Sequence, residues 1–270
     1  MRQILLPITI VALFAVMLFS SCTISVKDKE TVKLTGETVK KSRKCEKFDK
    51  IKTEGSDKII YIEDDSCYVV IECDKAVEPI ITTEVKDSLL TIVFKKKNSD
   101  TEMIGERSYD KENRTFTIHG MKSVVNGNMS NITTIFVHAP RLNSIKSAGY
   151  LNLEADRIHS DSVFTLKTSG SSDVDIDLLQ CTAAIIHTSG ASHIDADIEA
   201  SESMEIKTAG SSDLDIECIN CGDVTINTSG SCSGKIKGDV ESLIKSFSGS
   251  MSLDTDGLRT RILKDVRFGS

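Results

Sequence analysis

The stretch Lys167–Asp177, KTSGSSDVDID, decides how this chain folds, because it keeps coming back. It returns as HTSGASHIDAD at His187–Asp197, as KTAGSSDLDIE at Lys207–Glu217 and as NTSGSCSGKIK at Asn227–Lys237. KSAGYLNLE (Lys146–Glu154) comes before it and KSFSGSMSLD (Lys245–Asp254) closes the series. The shared glycines are Gly149, Gly170, Gly190, Gly210, Gly230 and Gly249, spaced by 21, 20, 20, 20 and 19 residues. A period near twenty marks one small unit repeated, each copy burying its apolar side only against a neighbour.

Counted from each glycine, the apolar residues alternate with period two, the signature of strands and not of helices. Four residues before it stand Ile145, Leu166, Ile186, Ile206 and Ile226; four and six after it stand Val174 with Ile176, Ile194 with Ala196, and Leu214 with Ile216. Each unit is therefore two short strands meeting at a glycine corner, where backbone angles closed to other residues are available. Stacking such units in parallel register about 4.8 Å apart predicts an all-β parallel β-solenoid (β-helix) with about 20 residues per coil and an irregular β part at its N-terminal end. Thr168, Thr188, Thr208 and Thr228 share the inward parity, which predicts a hydroxyl ladder from coil to coil. Lys167, His187, Lys207 and Asn227 form one outward column, and Asp175, Asp195 and Asp215 another, with Asp177, Asp197 and Glu217 beside it.

The rest of the chain is read from this array outward. Residues 1–21 join Arg2, an apolar run from Ile4 to Phe19 and a small-residue ending, the pattern of a secretion signal peptide. LFSSC, ending at Cys22, resembles the lipobox of bacterial lipoproteins, which makes Cys22 the candidate lipidation site and membrane anchor. Residues 22–44, polar and without sustained periodicity, are expected to be a flexible tether. Residues 45–96 hold several strand-like runs, read as early coils or a capping sheet, and KTEGSDKIIYIE (Lys52–Glu63) echoes the later units. Residues 97–132 break the pattern with Asn, Ser and Gly, hold one strand-like piece, Arg114–His119, and are expected to be a projecting loop insertion suited to recognition. Residues 133–270 carry the repeat region and a C-terminal cap.

These features in this order resemble one known family. The lipobox-like start, KFDKIKTEGSDKIIYIE (Lys47–Glu63), APRLNSIKSAG (Ala139–Gly149) and the SGSSDVDI-like phrases together resemble the putative auto-transporter adhesin, head GIN domain family of Bacteroidetes-type lipoproteins, over about residues 45–250. The resemblance implies a β-helical envelope protein without established catalytic residues. The insertion after Lys97 departs from the compact form of such domains.

Composition narrows the chemistry. A net charge of -7 opposes nucleic acid as a partner. With no tryptophan and four tyrosines, a sugar-stacking catalytic cleft is hard to furnish. Asp175, Asp195 and Asp215 are the only candidates for a metal, calcium, and they lack the nine-residue glycine-rich repeats of calcium-binding β-rolls; no other cofactor is expected. Of eight cysteines, the seven beyond Cys22 are an odd number, and Cys218–Cys221 has the spacing of half a zinc or redox site with no second half. Gly230–Gly234, GSCSG, matches a nucleophile elbow only on paper, because an elbow needs a strand followed by a helix. The expected function is a non-enzymatic, adhesin-like outer-membrane lipoprotein of the bacterial cell envelope, on its periplasmic or surface face, presenting a solenoid face to a glycan or protein. The alternative is a β-helix polysaccharide-degrading enzyme, a lyase or glycosidase.

Overall fold

The computed structural model describes residues 35–94, 106–110, 115–119 and 133–267. In chain order the strands are β1 (Thr38–Lys44), β2 (Lys50–Glu63), β3 (Tyr68–Asp74), β4 (Ile81–Lys86), β5 (Leu89–Phe94), β6 (Glu106–Asp110), β7 (Thr115–His119), β8 (Thr133–Ala139), β9 (Ser144–Ala155), β10 (Ile158–His159), β11 (Val163–Ser169), β12 (Ser172–Asp254) and β13 (Leu258–Arg267). The described chain is all-β, its one helical piece being a 3-10 turn at Glu78–Ile80. All strands but β6 and β7 belong to one curled, mixed sheet of 11 strands.

β12 stays extended for 83 residues. A straight strand of that length would run roughly 270 Å, so it must double back on itself, and the glycines are where it turns. Pairing across the repeat is parallel and advances one unit at a time: Ile51 lies opposite Ile145, Ile145 opposite Leu166, and Leu166 opposite Ile186. All of these are buried, and Ile206 and Ile226 are fully so. Gly149, Gly170, Gly190, Gly210, Gly230 and Gly249 have φ between 110° and 117°. A Cβ placed on any of them would stand 2.1 to 2.3 Å from the carbonyl oxygen of the glycine one unit earlier. Backbone lies directly on backbone at the corner, so no side chain fits there.

The column starts earlier than Gly149. Gly55, φ 144°, lies opposite Gly149, and β2 is paired with β9 along its length from Lys50 to Tyr61. On its other side β2 splits: Lys50–Glu54 pairs with β5, while Lys58–Glu63 pairs with β8. The antiparallel β4–β5 hairpin lies beyond one half, and β3 and then β1 extend antiparallel from β8 beyond the other. The chain between β5 and β8 contains the 97–132 segment. Within it β6 and β7 pair antiparallel, β7 falling on the strand-like piece Arg114–His119; the rest of the segment and residues 1–34 lie outside the described residues.

Two expectations need correction. Thr38–Lys44 is not tether but β1, paired antiparallel with β3; Val39 packs against the core, Lys40 pairs with Glu72 and lies over the Phe136 ring, and Arg43 reaches the Ile81 carbonyl at 2.8 Å. A mostly polar edge strand gives no alternation to read. The threonine hydroxyls do not bond from unit to unit either. Thr168 meets Ser172 at 3.2 Å and Thr188 meets Ser192 at 3.0 Å, each across its own corner.

The far end has little cover. β13 is the last parallel partner of β12, with Leu263 opposite the fully buried Leu243. Ile262 and Leu263 are nevertheless 58% and 53% exposed, because nothing described lies beyond them. The expected C-terminal cap is a final strand.

Candidate ligand-binding surface

Parallel register turns each outward position into a column. Three residues before the corner, Lys52, Lys146, Lys167 and His187 are successive register partners. Together with Lys207 they line a shallow trough of about 450 Å³, with Thr53, Ser147, Thr168, Thr188 and Thr208 on its inward side. Sequence reading had found the column only from Lys167 onward. Lys52 was legible in principle, since KTEG at Lys52–Gly55 matches KTSG and KTAG.

The column is unevenly neutralised. Lys52 reaches Glu54 at 2.7 Å, and Glu205 takes both Lys207 at 2.9 Å and His187 at 2.6 Å. Those two contacts, Lys207 first, hold the Glu205 carboxyl below its ordinary range. Lys146 and Lys167, both exposed, have no carboxylate partner among the described residues. Two ammonium groups about 5 Å apart in water repel by roughly 0.8 kcal/mol, and an anion laid across both would turn that repulsion into attraction. Beside them the Thr53 and Ser147 hydroxyls are buried and unpartnered. The trough offers cations at strand spacing.

On the opposite flank of the corner a second trough of about 730 Å³ is lined chiefly by serines, with Asp173, His193 and Asp213 at its rim. Asp213 is engaged there by His193 at 3.5 Å and by the Ser233 hydroxyl at 3.0 Å.

The acidic columns are a charged face, closed at both ends by lysine. Lys58 holds Glu154 at 2.6 Å and Lys237 holds Glu217 at 2.7 Å. Between them, desolvation and then the neighbouring Asp195, Asp177 and Glu154 push the Asp175 carboxyl above its ordinary range. Desolvation and Glu217 do the same to Asp197. Among the described residues no three His, Cys, Asp or Glu side chains come together closely enough to hold a metal ion. Asp175, Asp195 and Asp215 stand outward, one per unit, on the curled sheet.

A third groove, of about 610 Å³, was not foreseen. It gathers Glu202, Asp223, Asp239 and Glu241 with Arg259 and Arg261. Asp239 forms an ion pair with Arg259, which holds its carboxyl below the ordinary range, and Asp223 accepts the Ser242 hydroxyl at 2.6 Å. The signal lay in residues 258–267, LRTRILKDVR, whose place beside Asp239 depends on the last register pairing.

Cys218 hydrogen-bonds to Cys221 and thereby lowers the Cys221 thiol. Cys73, Cys218, Cys221 and Cys232 are buried, and desolvation pushes the Cys73 and Cys232 thiols up to about 11. Cys232, the would-be nucleophile, is thus a core residue at a corner. His187 and His193 are engaged by Glu205 and Asp213.

A family model described as "putative auto-transporter adhesin, head GIN domain" matches residues 47–200 and 184–266. Three solved structures are similar at low identity. One is a putative adhesin from Parabacteroides merdae, 12% identical, with TM-score 0.42, covering 87% of this chain and 99% of its own. Another is a putative adhesin from Bacteroides fragilis, 16% identical, with TM-score 0.41 and coverages of 86% and 98%. The third is a putative adhesin from Parabacteroides distasonis, 17% identical, with TM-score 0.41 and coverages of 88% and 100%. A search of curated proteins finds no match.

Proposed function

Because this chain belongs to the putative auto-transporter adhesin, head GIN domain family, we propose that it is a non-enzymatic, adhesin-like module of the bacterial cell envelope whose ligand is an extended, anionic glycan. In this reading the repeat array is a parallel β-solenoid of about 20 residues per coil, the chain is exported and held at the outer membrane by lipid on Cys22, and the ligand lies along the trough from Lys52 to Lys207. The observation that carries it is the column itself. Five basic or imidazole side chains stand one per unit along roughly 19 Å, the central pair without carboxylate partners, on a protein that is acidic overall. A linear polymer with carboxylates or sulfates at a similar repeat matches that column, where a compact ligand would engage one or two units. Among the described residues no helix is long and apolar enough to cross a membrane.

The test is an array of uronate-bearing, sulfated and neutral glycans probed with the full-length chain, the double variant Lys146→Glu/Lys167→Glu, and a deletion of 97–132. Binding to acidic polymers is expected to fall at least tenfold in the double variant and to weaken with salt. Binding unchanged by both the charge reversal and the deletion refutes the reading.

The groove with Arg259 and Arg261 favours a second reading, a polysaccharide-degrading enzyme, because acids and arginines converge there. Asp239 is the wrong group to serve as its acid. A general acid requires a raised pKa, and Arg259 pushes Asp239 the other way. Release of reducing or unsaturated ends from uronate polymers by purified protein would reverse this order.

A further inference from the structure

β1 is the outermost strand of the sheet and the first that the chain forms among the described residues. Its antiparallel register with β3 pairs Thr38 with Asp74 and runs to Lys44 with Tyr68. One step further the same register sets Cys45 opposite Cys67, and the ladder does continue, since the Cys45 amide donates to the Cys67 carbonyl at 3.2 Å. Directly opposed residues of an antiparallel pair project on the same face. Here that is the core face: Val69, Ile71 and Cys73 on β3 are buried, and both Cys45 and Cys67 are half-buried against the same cluster. A hydrogen-bonded antiparallel pair holds its Cα atoms about 5.5 Å apart, inside the roughly 4.4 to 6.8 Å window of disulfides. Cys67 is also, after desolvation, the next cause raising the Cys45 thiol.

We propose that Cys45 and Cys67 form a cross-strand disulfide that clamps β1 to the body of the protein. The chemistry is exchange with a disulfide oxidant such as oxidised glutathione. The Cys45 thiolate attacks one glutathione sulfur and expels the first glutathione thiolate; the Cys67 thiolate then attacks the Cys45 sulfur and expels the second. One Sγ–Sγ bond forms, two electrons pass to the oxidant, and the two protein thiol protons end on two reduced glutathiones. The mechanical consequence follows from the topology. A pull on the chain before Thr38 loads β1 from its free end and opens its hydrogen bonds to β3 one after another; the clamp stops that opening at Cys45 and keeps the segment to Cys67 folded.

Full-length protein is incubated with oxidised glutathione, digested without reduction and mapped by mass spectrometry. A Cys45–Cys67 linked peptide is the expected result. Cys45 and Cys67 found as free thiols or as separate glutathione adducts, or either one linked to Cys181, Cys218 or Cys221, overturns the proposal. The mechanical arm pulls single molecules from the N-terminus. Oxidised protein is expected to release a contour shorter by roughly 75 Å than reduced protein, the 22-residue separation at about 3.4 Å per residue. Cys45→Ser is expected to behave as reduced protein under both conditions, and equal contours with and without oxidant in the unaltered chain refute the clamp.

Discussion

Gly190→Ala tests the packing on which every column depends. Gly190 holds φ at 110°, and a Cβ there would stand 2.2 Å from the Gly170 oxygen and 2.9 Å from its carbonyl carbon. The two costs can be separated. The backbone angle alone costs about 1–3 kcal/mol for a residue with a side chain. The contact needs the two units to part by roughly 1 Å before it becomes ordinary. A displacement of that size stretches the inter-unit hydrogen bonds flanking the corner, each worth about 1 kcal/mol. The sum is about 3–5 kcal/mol, a large part of the roughly 5–15 kcal/mol that holds a domain folded.

Gly36→Ala is the control. Gly36 also has positive φ, 76°, but nothing lies within 4 Å of its would-be Cβ, so it carries the conformational cost without the contact, about 1–2 kcal/mol. Urea denaturation followed by circular dichroism, with m-values compared to confirm that the same surface unfolds, gives both differences. Gly190→Ala is expected to exceed Gly36→Ala by about 1–4 kcal/mol and to lower the melting temperature by about 10 °C. Costs equal within 1 kcal/mol would mean that the corner backbones do not bear on one another.

Two further outcomes are expected. Tyr61 is buried and donates to the Ala139 carbonyl at 2.8 Å, which also accepts the Asp64 amide at 3.1 Å, so Tyr61→Phe removes one of two donors and is expected to cost about 0.5–1.5 kcal/mol in the same urea assay; no measurable change would show that the hydroxyl bond adds nothing. The Asp175 carboxyl titrates higher in the folded chain than its ordinary 3.8, so the folded state gains over the unfolded one as pH falls through the raised value and loses as pH climbs past it. Asp175→Asn is therefore expected to raise the melting temperature at pH 7 and to leave it unchanged near pH 3, where the wild-type carboxyl is protonated in both states; a gain that persists at pH 3 contradicts the repulsion.

What the sequence makes legible is whatever the stacking repeats. A corner whose backbone lies on its neighbour's can hold only glycine, so Gly149 to Gly249 are imposed unit by unit and the period appears in the letters; the buried file Ile145, Leu166, Ile186, Ile206 and Ile226 is imposed in the same way. The lysine column was partly legible for a weaker reason, because an outward position tolerates substitution, and Asn227 interrupts it. Interactions made once leave no such trace. β1 became a strand through its pairing with β3, and a polar edge strand has no alternation of its own. Thr168 was read as bonding along the stack because periodicity draws attention to the neighbour one unit away, yet Ser172, four residues on, is brought against it by the turn of its own corner. Cys45 and Cys67, like Asp239 and Arg259, face each other only through a register that the sequence does not spell out. The clamp and the arginine groove both lie at the ends of the array, where repetition stops constraining the chain and single contacts take over.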